Sequence, residues 1–180
     1  MNEGLIPRRY AKALYEFAVE KGDSKEIYRL MSTLADNFAK EASLQSVLSN
    51  PFIGATDKVK LLTTAAGAEK NASFADFMSL LSVNKRLDLA RGIALAYLDI
   101  YRKTNNIHLV EVVTASELSL TDEKRLKSLI QSHLNDGTME YTHRVDADLV
   151  GGFVINIGSE RLDASISNEL KQLRLKLLSN

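Results

Sequence analysis

The chain has 180 residues, 45% of them hydrophobic, enough for one domain or two small ones with a real core. Lys plus Arg number 23 and Asp plus Glu number 23, so the formal net charge is zero and no global field draws the chain toward nucleic acid or anionic lipid. The absence of cysteine excludes disulfides, thiolate metal sites and cysteine nucleophiles. The start, MNEGLIPRRY, places arginines where a secretory peptide needs its apolar stretch, and no later run reaches the roughly 18 apolar residues of a spanning helix. The chain is expected to be soluble and cytoplasmic.

Up to about Thr104 the periodicity is helical. A first helix carries Tyr10, Leu14, Phe17 and Ala18 on one face and stops at Gly22. Asp23, with Glu26 three residues on, reads as the cap of a second, whose stripe is Ile27, Leu30, Met31, Leu34 and Phe38. Leu44 to Leu48 form a short third, ended by Asn50-Pro51 because the residue before proline is pushed out of helical geometry. Thr56 is expected to cap a fourth. Ala72 to Val83 form a fifth with Phe74, Phe77, Met78 and Leu81, and Leu87 to Tyr101 a sixth with Ala90, Ile93, Ala94, Tyr97 and Tyr101. Six short helices imply a compact bundle. The polar run Lys103 to Asn106 then marks a boundary, giving domains 1–105 and 106–180.

Beyond it the period becomes extended at Ile107 to Ala115, where Val110 and Val112 alternate with Leu109, Glu111 and Val113. Thr121 is expected to cap a helix with Leu126, Leu129, Ile130 and Leu134 facing inward, stopped near Asn135-Asp136-Gly137. Met139, Tyr141 and Val145 mark a second strand. After Gly151-Gly152, Phe153, Ile155 and Ile157 fall on one face of a third strand and Val154 and Asn156 on the other. Gly158-Ser159-Glu160 turns the chain, and after Asp163 the positions Ile166, Leu170, Leu173 and Leu177 recur at helical spacing. The predicted fold is mainly α: an N-terminal six-helix bundle followed by a small α+β C-terminal domain.

Motifs that carry chemistry are missing. Neither a phosphate-binding loop nor GxGxxG occurs, and no GxSxG marks a nucleophile. His108, His133 and His143 are dispersed and lack the spacing that converges imidazoles on a metal. Asp146 and Asp148, two apart at a strand entrance, read as turn residues bonding their own backbone, and Gly151-Gly152 as a close backbone approach. Lys171, Arg174 and Lys176 have no interleaved aromatic residues, so they do not read as a nucleic-acid surface. No catalytic residue, cofactor or metal is expected.

Two segments at opposite ends, RRYAKALYEFAVEKG at Arg8 to Gly22 and LVGGFVINIG followed by LDASI, resemble the delta subunit of F-type ATP synthases, called OSCP in mitochondria. Length and order of elements agree over the whole chain. The resemblance implies a non-catalytic stator subunit at the cytoplasmic face of the bacterial inner membrane, peripheral to it. Its bundle would receive the amphipathic N-terminal helix of an alpha subunit of the catalytic head. Its C-terminal domain would join the b subunits of the peripheral stalk, so that the head resists rotor torque during proton- or sodium-driven synthesis. The family's receiving groove lies between the first and fifth helices, which here offers Tyr10, Ala13, Leu14 and Phe17 with Phe74, Phe77, Met78 and Leu81. On the stalk side the resemblance and the leucine-rich last helix point to Leu173, Arg174 and Leu177. Ala147 stands where a proline is frequent in the family and Asn156 where a basic residue often is. The alternative reading is an unrelated helical scaffold module that binds an amphipathic helix.

Overall fold

The computed structural model describes residues 4–134, 136–158 and 160–178, without the side chains of Lys176 and Leu178. Asn135 and Ser159, used above as turn residues, and the Lys176 side chain lie outside that description. The chain divides into two compact units, Met1–Lys103 and Thr104–Asn180.

The first unit is helical throughout: α1 (Leu5–Lys21), α2 (Ser24–Lys40), α3 (Ser43–Ser49), α4 (Ala55–Ala66), α5 (Ala72–Val83), a 3₁₀ turn (Leu87–Leu89) and α6 (Ala90–Thr104). α2 packs on α1 and α4, and α5 on α4 and α1. Leu14, Ile27, Leu30, Met31, Leu34, Leu62, Phe74, Met78, Leu81, Ile93 and Tyr97 are buried almost completely, as the 3.6-residue stripes require. Gly22 ends α1 at φ 74°, a left-handed cap that lets its neighbourhood return N–H groups to Ala18 and Val19.

Several caps differ from the sequence expectation. Asp23 occupies the N-cap of α2 but accepts no cap hydrogen bond; Glu26 pairs instead with Arg29 at 2.6 Å, and Asp23 Oδ1 is buried without a partner among the described residues. Thr56 does not cap α4 but lies inside it, since the helix starts at Ala55 after Gly54 without a side-chain cap. A side-chain cap does form at Asn71, whose Oδ1 accepts the Phe74 N–H at 2.8 Å and opens α5. Tyr97 donates its hydroxyl to the Ser24 carbonyl at 3.0 Å, tying α6 to the start of α2. Burial first, and then the Asp23 charge, push its phenol pKa well above the usual tyrosine value.

The second unit contains β1 (Ile107–Thr114), α7 (Leu120–His133), β2 (Thr138–Val145), a 3₁₀ turn (Ala147–Leu149), β3 (Gly152–Ile157), β4 (Glu160–Ser165) and α8 (Ile166–Leu178). The sheet order is β2-β1-β3-β4: β1 and β2 are parallel, joined through α7, while β3 runs antiparallel to both β1 and β4. Val110, Val112, Ile130 and Ile155 form its core, with Leu126, Met139, Tyr141, Phe153 and Ile157 packed around them. Ser119, not Thr121, caps α7, accepting the Asp122 N–H at 3.1 Å. Leu129, expected to face inward, is exposed.

Strand β4 is absent from the sequence expectation, in which the chain after the turn leads into the helix. Its residues ERLDAS are charged and weakly apolar, as an edge strand tolerates, and they have no alternating core face to betray them. Asp146 behaves as a turn residue, its Oδ1 accepting the Asp148 N–H at 3.1 Å while Arg144 pairs with its other oxygen at 3.0 Å. Asn156 donates to Glu111 Oε2 at 2.9 Å across the β1–β3 ladder, so a neutral amide matches the strand partner there.

Gly152 shows why the doublet is needed. Its φ is +81°, and a Cβ there would meet the Ala164 carbonyl oxygen and lie 2.9 Å from Ser165 Cα on the β4 backbone. Gly152→Ala is expected to destabilise the chain by about 2 kcal/mol or more. A urea-unfolding midpoint equal to the wild type contradicts this.

Candidate functional site

The sequence supplies apolar helical surface rather than reactive groups, and the first unit leaves part of it open. α5, ASFADFMSLLSV, is apolar nearly all the way round, and such a helix needs covering on more than one side. One side goes into the core through Phe74, Met78 and Leu81. The next side carries Phe77, only 5% exposed, and Leu80, 48% exposed, with Val83 beyond it at 80%. Ala13, Leu14, Phe17, Asp76, Phe77 and Leu80 enclose a cleft of about 230 Å³ between α1 and α5. Leu14 and Phe77 are its floor; Phe17, Ala13 and Leu80 are its walls. The Lys21 ammonium sits 5.6 Å from the Phe17 ring centroid at one end.

Of the sequence-predicted groove residues, Ala13, Leu14, Phe17 and Phe77 meet around this cleft. Tyr10 lies one turn away, against a neighbouring cavity with Ile6, Arg9 and Arg86. Phe74, Met78 and Leu81 are core residues that hold the cleft's inner wall in place. Leu80 and Asp76 are not among the sequence-predicted residues, because they lie off the α5 stripe of Phe74, Phe77, Met78 and Leu81. The signal was present in its surplus of apolar residues off that stripe.

The second unit exposes two apolar features. Leu126, Leu129, Ile130, Phe153, Ile155 and Leu162 line a cleft of about 460 Å³ between α7 and the β3–β4 hairpin, with His133, Glu160 and Arg161 at its edge. On α8, Ile166, Leu170, Leu173 and Leu177 follow a 4-3-4 spacing, and all are exposed, Leu177 to 79%. The predicted residues Leu173, Arg174 and Leu177 thus stand together on an open helix surface. The helix start is fixed: Ser165 Oγ accepts the Asn168 N–H at 3.2 Å, and Asp163 Oδ1 accepts from both Ser165 N–H and Oγ–H, at 3.1 and 2.6 Å. The Ser165 hydroxyl first, with the Ser165 N–H and Arg161 in support, holds the Asp163 carboxyl below the usual aspartate range.

His143 shares a 2.7 Å hydrogen bond with Thr114 and His108 a 3.1 Å one with Asn106, and no cluster able to hold a metal ion occurs among the described residues. No helix among them is long and apolar enough to cross a membrane.

A family model described as ATP synthase delta (OSCP) subunit matches residues 6–177. The chain belongs to this family. Among its relatives, the ATP synthase subunit delta of Parabacteroides distasonis is 37% identical over 187 residues, covering 100% of this chain and 99% of the other. That of Bacteroides thetaiotaomicron is 35% identical over 180 residues, covering 99% and 96%. A chain in a cryo-EM structure of the Toxoplasma gondii mitochondrial ATP synthase hexamer superposes with a TM-score of 0.73 at 18% identity, over 96% of this chain and 97% of that one, which shows the same fold. Membership of the ATP synthase delta (OSCP) family makes the chain a peripheral-stalk component of an F-type ATP synthase, with the stator role of that stalk. The unrelated scaffold module is thereby set aside.

Burial separates the open wall of the α1–α5 cleft from its support. Phe74→Ala is expected to cost about 3–5 kcal/mol, as for a buried aromatic, and Phe17→Ala, at a half-buried position, about 1–2 kcal/mol. Chemical denaturation of the two variants measures this, and equal losses contradict the assignment of Phe17 to the half-open wall.

Proposed function

We propose that the α1–α5 cleft receives the amphipathic N-terminal helix of an alpha subunit of the catalytic head, and that the C-terminal unit holds the b subunits of the peripheral stalk. One chain then ties the head to the stalk at the cytoplasmic face of the bacterial inner membrane, as a non-catalytic part of the complex. The observation that carries this reading is the apolar surplus of α5: Leu80 and the Phe17 wall stay open in the free chain beside a buried floor of Leu14 and Phe77.

Such a cleft fits a helix that inserts side chains at i, i+3, i+4 and i+7. Each aliphatic or aromatic anchor fully buried there contributes about 1.5–3 kcal/mol, so a few suffice for a tight joint once ordering costs are met. Torque from the rotor loads this joint, and a helix seated along its length spreads the load over several side chains. On the stalk side the 4-3-4 leucines of α8 have the spacing of a helix-pairing seam, and the Leu129–Leu162 cleft offers a second apolar surface on the same unit. Arg174 and the Lys171 beside it on α8 suit an acidic partner rim.

Leu80→Asp places a charge in the open wall while leaving the core intact, which Phe77→Asp would not. A peptide copying about the first 20 residues of the alpha subunit is expected to shift amide resonances of α1 and α5 in the wild-type chain and to lose at least ~10-fold in affinity for Leu80→Asp. Absence of shifts at high peptide concentration, or unchanged affinity in the variant, contradicts the cleft assignment. Leu173→Asp with Leu177→Asp is expected to release the b subunits from the purified complex while the alpha subunit stays bound; retention of both removes α8 from the stalk interface.

A further inference from the structure

We propose that the α1–α5 cleft has a charge polarity that sets the direction of its partner: Arg9 and Arg86 receive the acidic first turn of an amphipathic helix, which then runs parallel to α1. This inference rests on the reading of the cleft as a helix-docking groove and adds the feature that orients what docks.

Ile6, Arg9, Tyr10 and Arg86 enclose a cavity of about 400 Å³. On α1, Arg9 precedes Ala13 by one turn and Ala13 precedes Phe17 by the next, so this cavity lies in line with the apolar cleft on one helix face. Arg86 follows the end of α5, anchored by its backbone N–H, which donates to the Leu81 carbonyl at 2.8 Å. Low-numbered residues of α1 therefore share a cavity with the C-terminal side of α5, and Phe17 shares one with Asp76 and Leu80, which makes the two helices antiparallel along the groove.

Both arginines are exposed, and among the described residues neither forms an ion pair or side-chain hydrogen bond, whereas Arg29, Arg125, Arg144 and Arg161 each meet a carboxylate. Guanidiniums converging on one cavity fit carboxylates in bidentate geometry. The far end is different: Asp76, without an ion pair among the described residues, lies near Phe17 with Lys21 over its ring, so that end is close to neutral. The arginine end sets the polarity. A helix favours acidic residues in its first turn and basic ones in its last, since these oppose its own dipole. A helix of that kind matches the groove only with its N-terminus at Arg9 and Arg86. The reverse insertion places its basic last turn against two guanidiniums.

The test titrates the full chain with two synthetic peptides of about 18 residues that share one apolar stripe and one composition. One has acidic residues in the first turn and basic residues in the last; the other has them exchanged. The wild-type chain is expected to bind the acid-first peptide ~10-fold more tightly at low ionic strength, with the gap narrowing at about 0.5 M salt. Arg9→Gln with Arg86→Gln is expected to bring the two affinities together, and Arg9→Glu with Arg86→Glu to invert their order; both pairs are surface changes whose folding circular dichroism verifies. Equal affinities in the wild type, or a preference that survives in the double variants, overturns the proposal. Equal binding that Leu80→Asp abolishes leaves the docking groove standing and removes only its polarity, while no binding of either peptide overturns both.

Discussion

Two packed helices cannot each turn their whole apolar surface into one core, and in this chain the contact of α1 with α5 decides which part stays outside. Leu14, Phe74, Met78 and Leu81 point inward, and burial of that set fixes the rotation of both helices about their axes. Given that rotation, Ala13, Phe17 and Leu80 flank an open channel over Leu14 and Phe77. Ala13 allows close approach of an incoming backbone. In the proposed docking, stability and binding use adjacent turns of the same two helices, so the cleft would be held in shape before any partner arrives and little ordering cost would fall on the binding step.

The C-terminal unit solves a similar problem with a sheet. β1 sits at the centre, paired on both sides, and the β3–β4 hairpin extends the sheet to an edge from which α8 emerges. The Asp163–Ser165–Asn168 hydrogen bonds hold the exit angle of that helix, and Gly152 permits the β4 backbone to lie close against β3. Both features lie in the segment that marks the family, and both act on where the leucines of α8 stand. The motif is structural chemistry in the service of placing an apolar helix, which is consistent with a stator component that transmits force through non-covalent contacts.

Much of this was legible in the residues because long amphipathic stripes leave few alternatives. Ile27, Leu30, Met31, Leu34 and Phe38 could only be one helix face, and Val110 and Val112 only one face of a strand, whose other face is buried too at Val113. Edges and caps were less legible. β4 has no hydrophobic alternation because an edge strand is specified by its neighbour's backbone, and the cap positions fall two residues before the expected Thr56 and Thr121, at Gly54, which offers no side-chain bond, and at Ser119, which does. In the cleft, the resemblance to the family pointed to α1 and α5, and periodicity did not separate the buried wall, Phe74 and Met78, from the open one, Leu80. That distinction depends on how the helices are rotated against their neighbours, a tertiary quantity that no single helix encodes.

The surface around Leu80 is expected to be open in the free chain and covered in the assembled ATP synthase. Because the chain has no cysteine, Leu80→Cys introduces a unique thiol whose alkylation rate can be measured in both states. Rapid alkylation of the isolated subunit and strong protection in the intact complex are expected, with protection lost when the catalytic head is stripped away. Alkylation at the same rate in the isolated subunit and in the complex contradicts it.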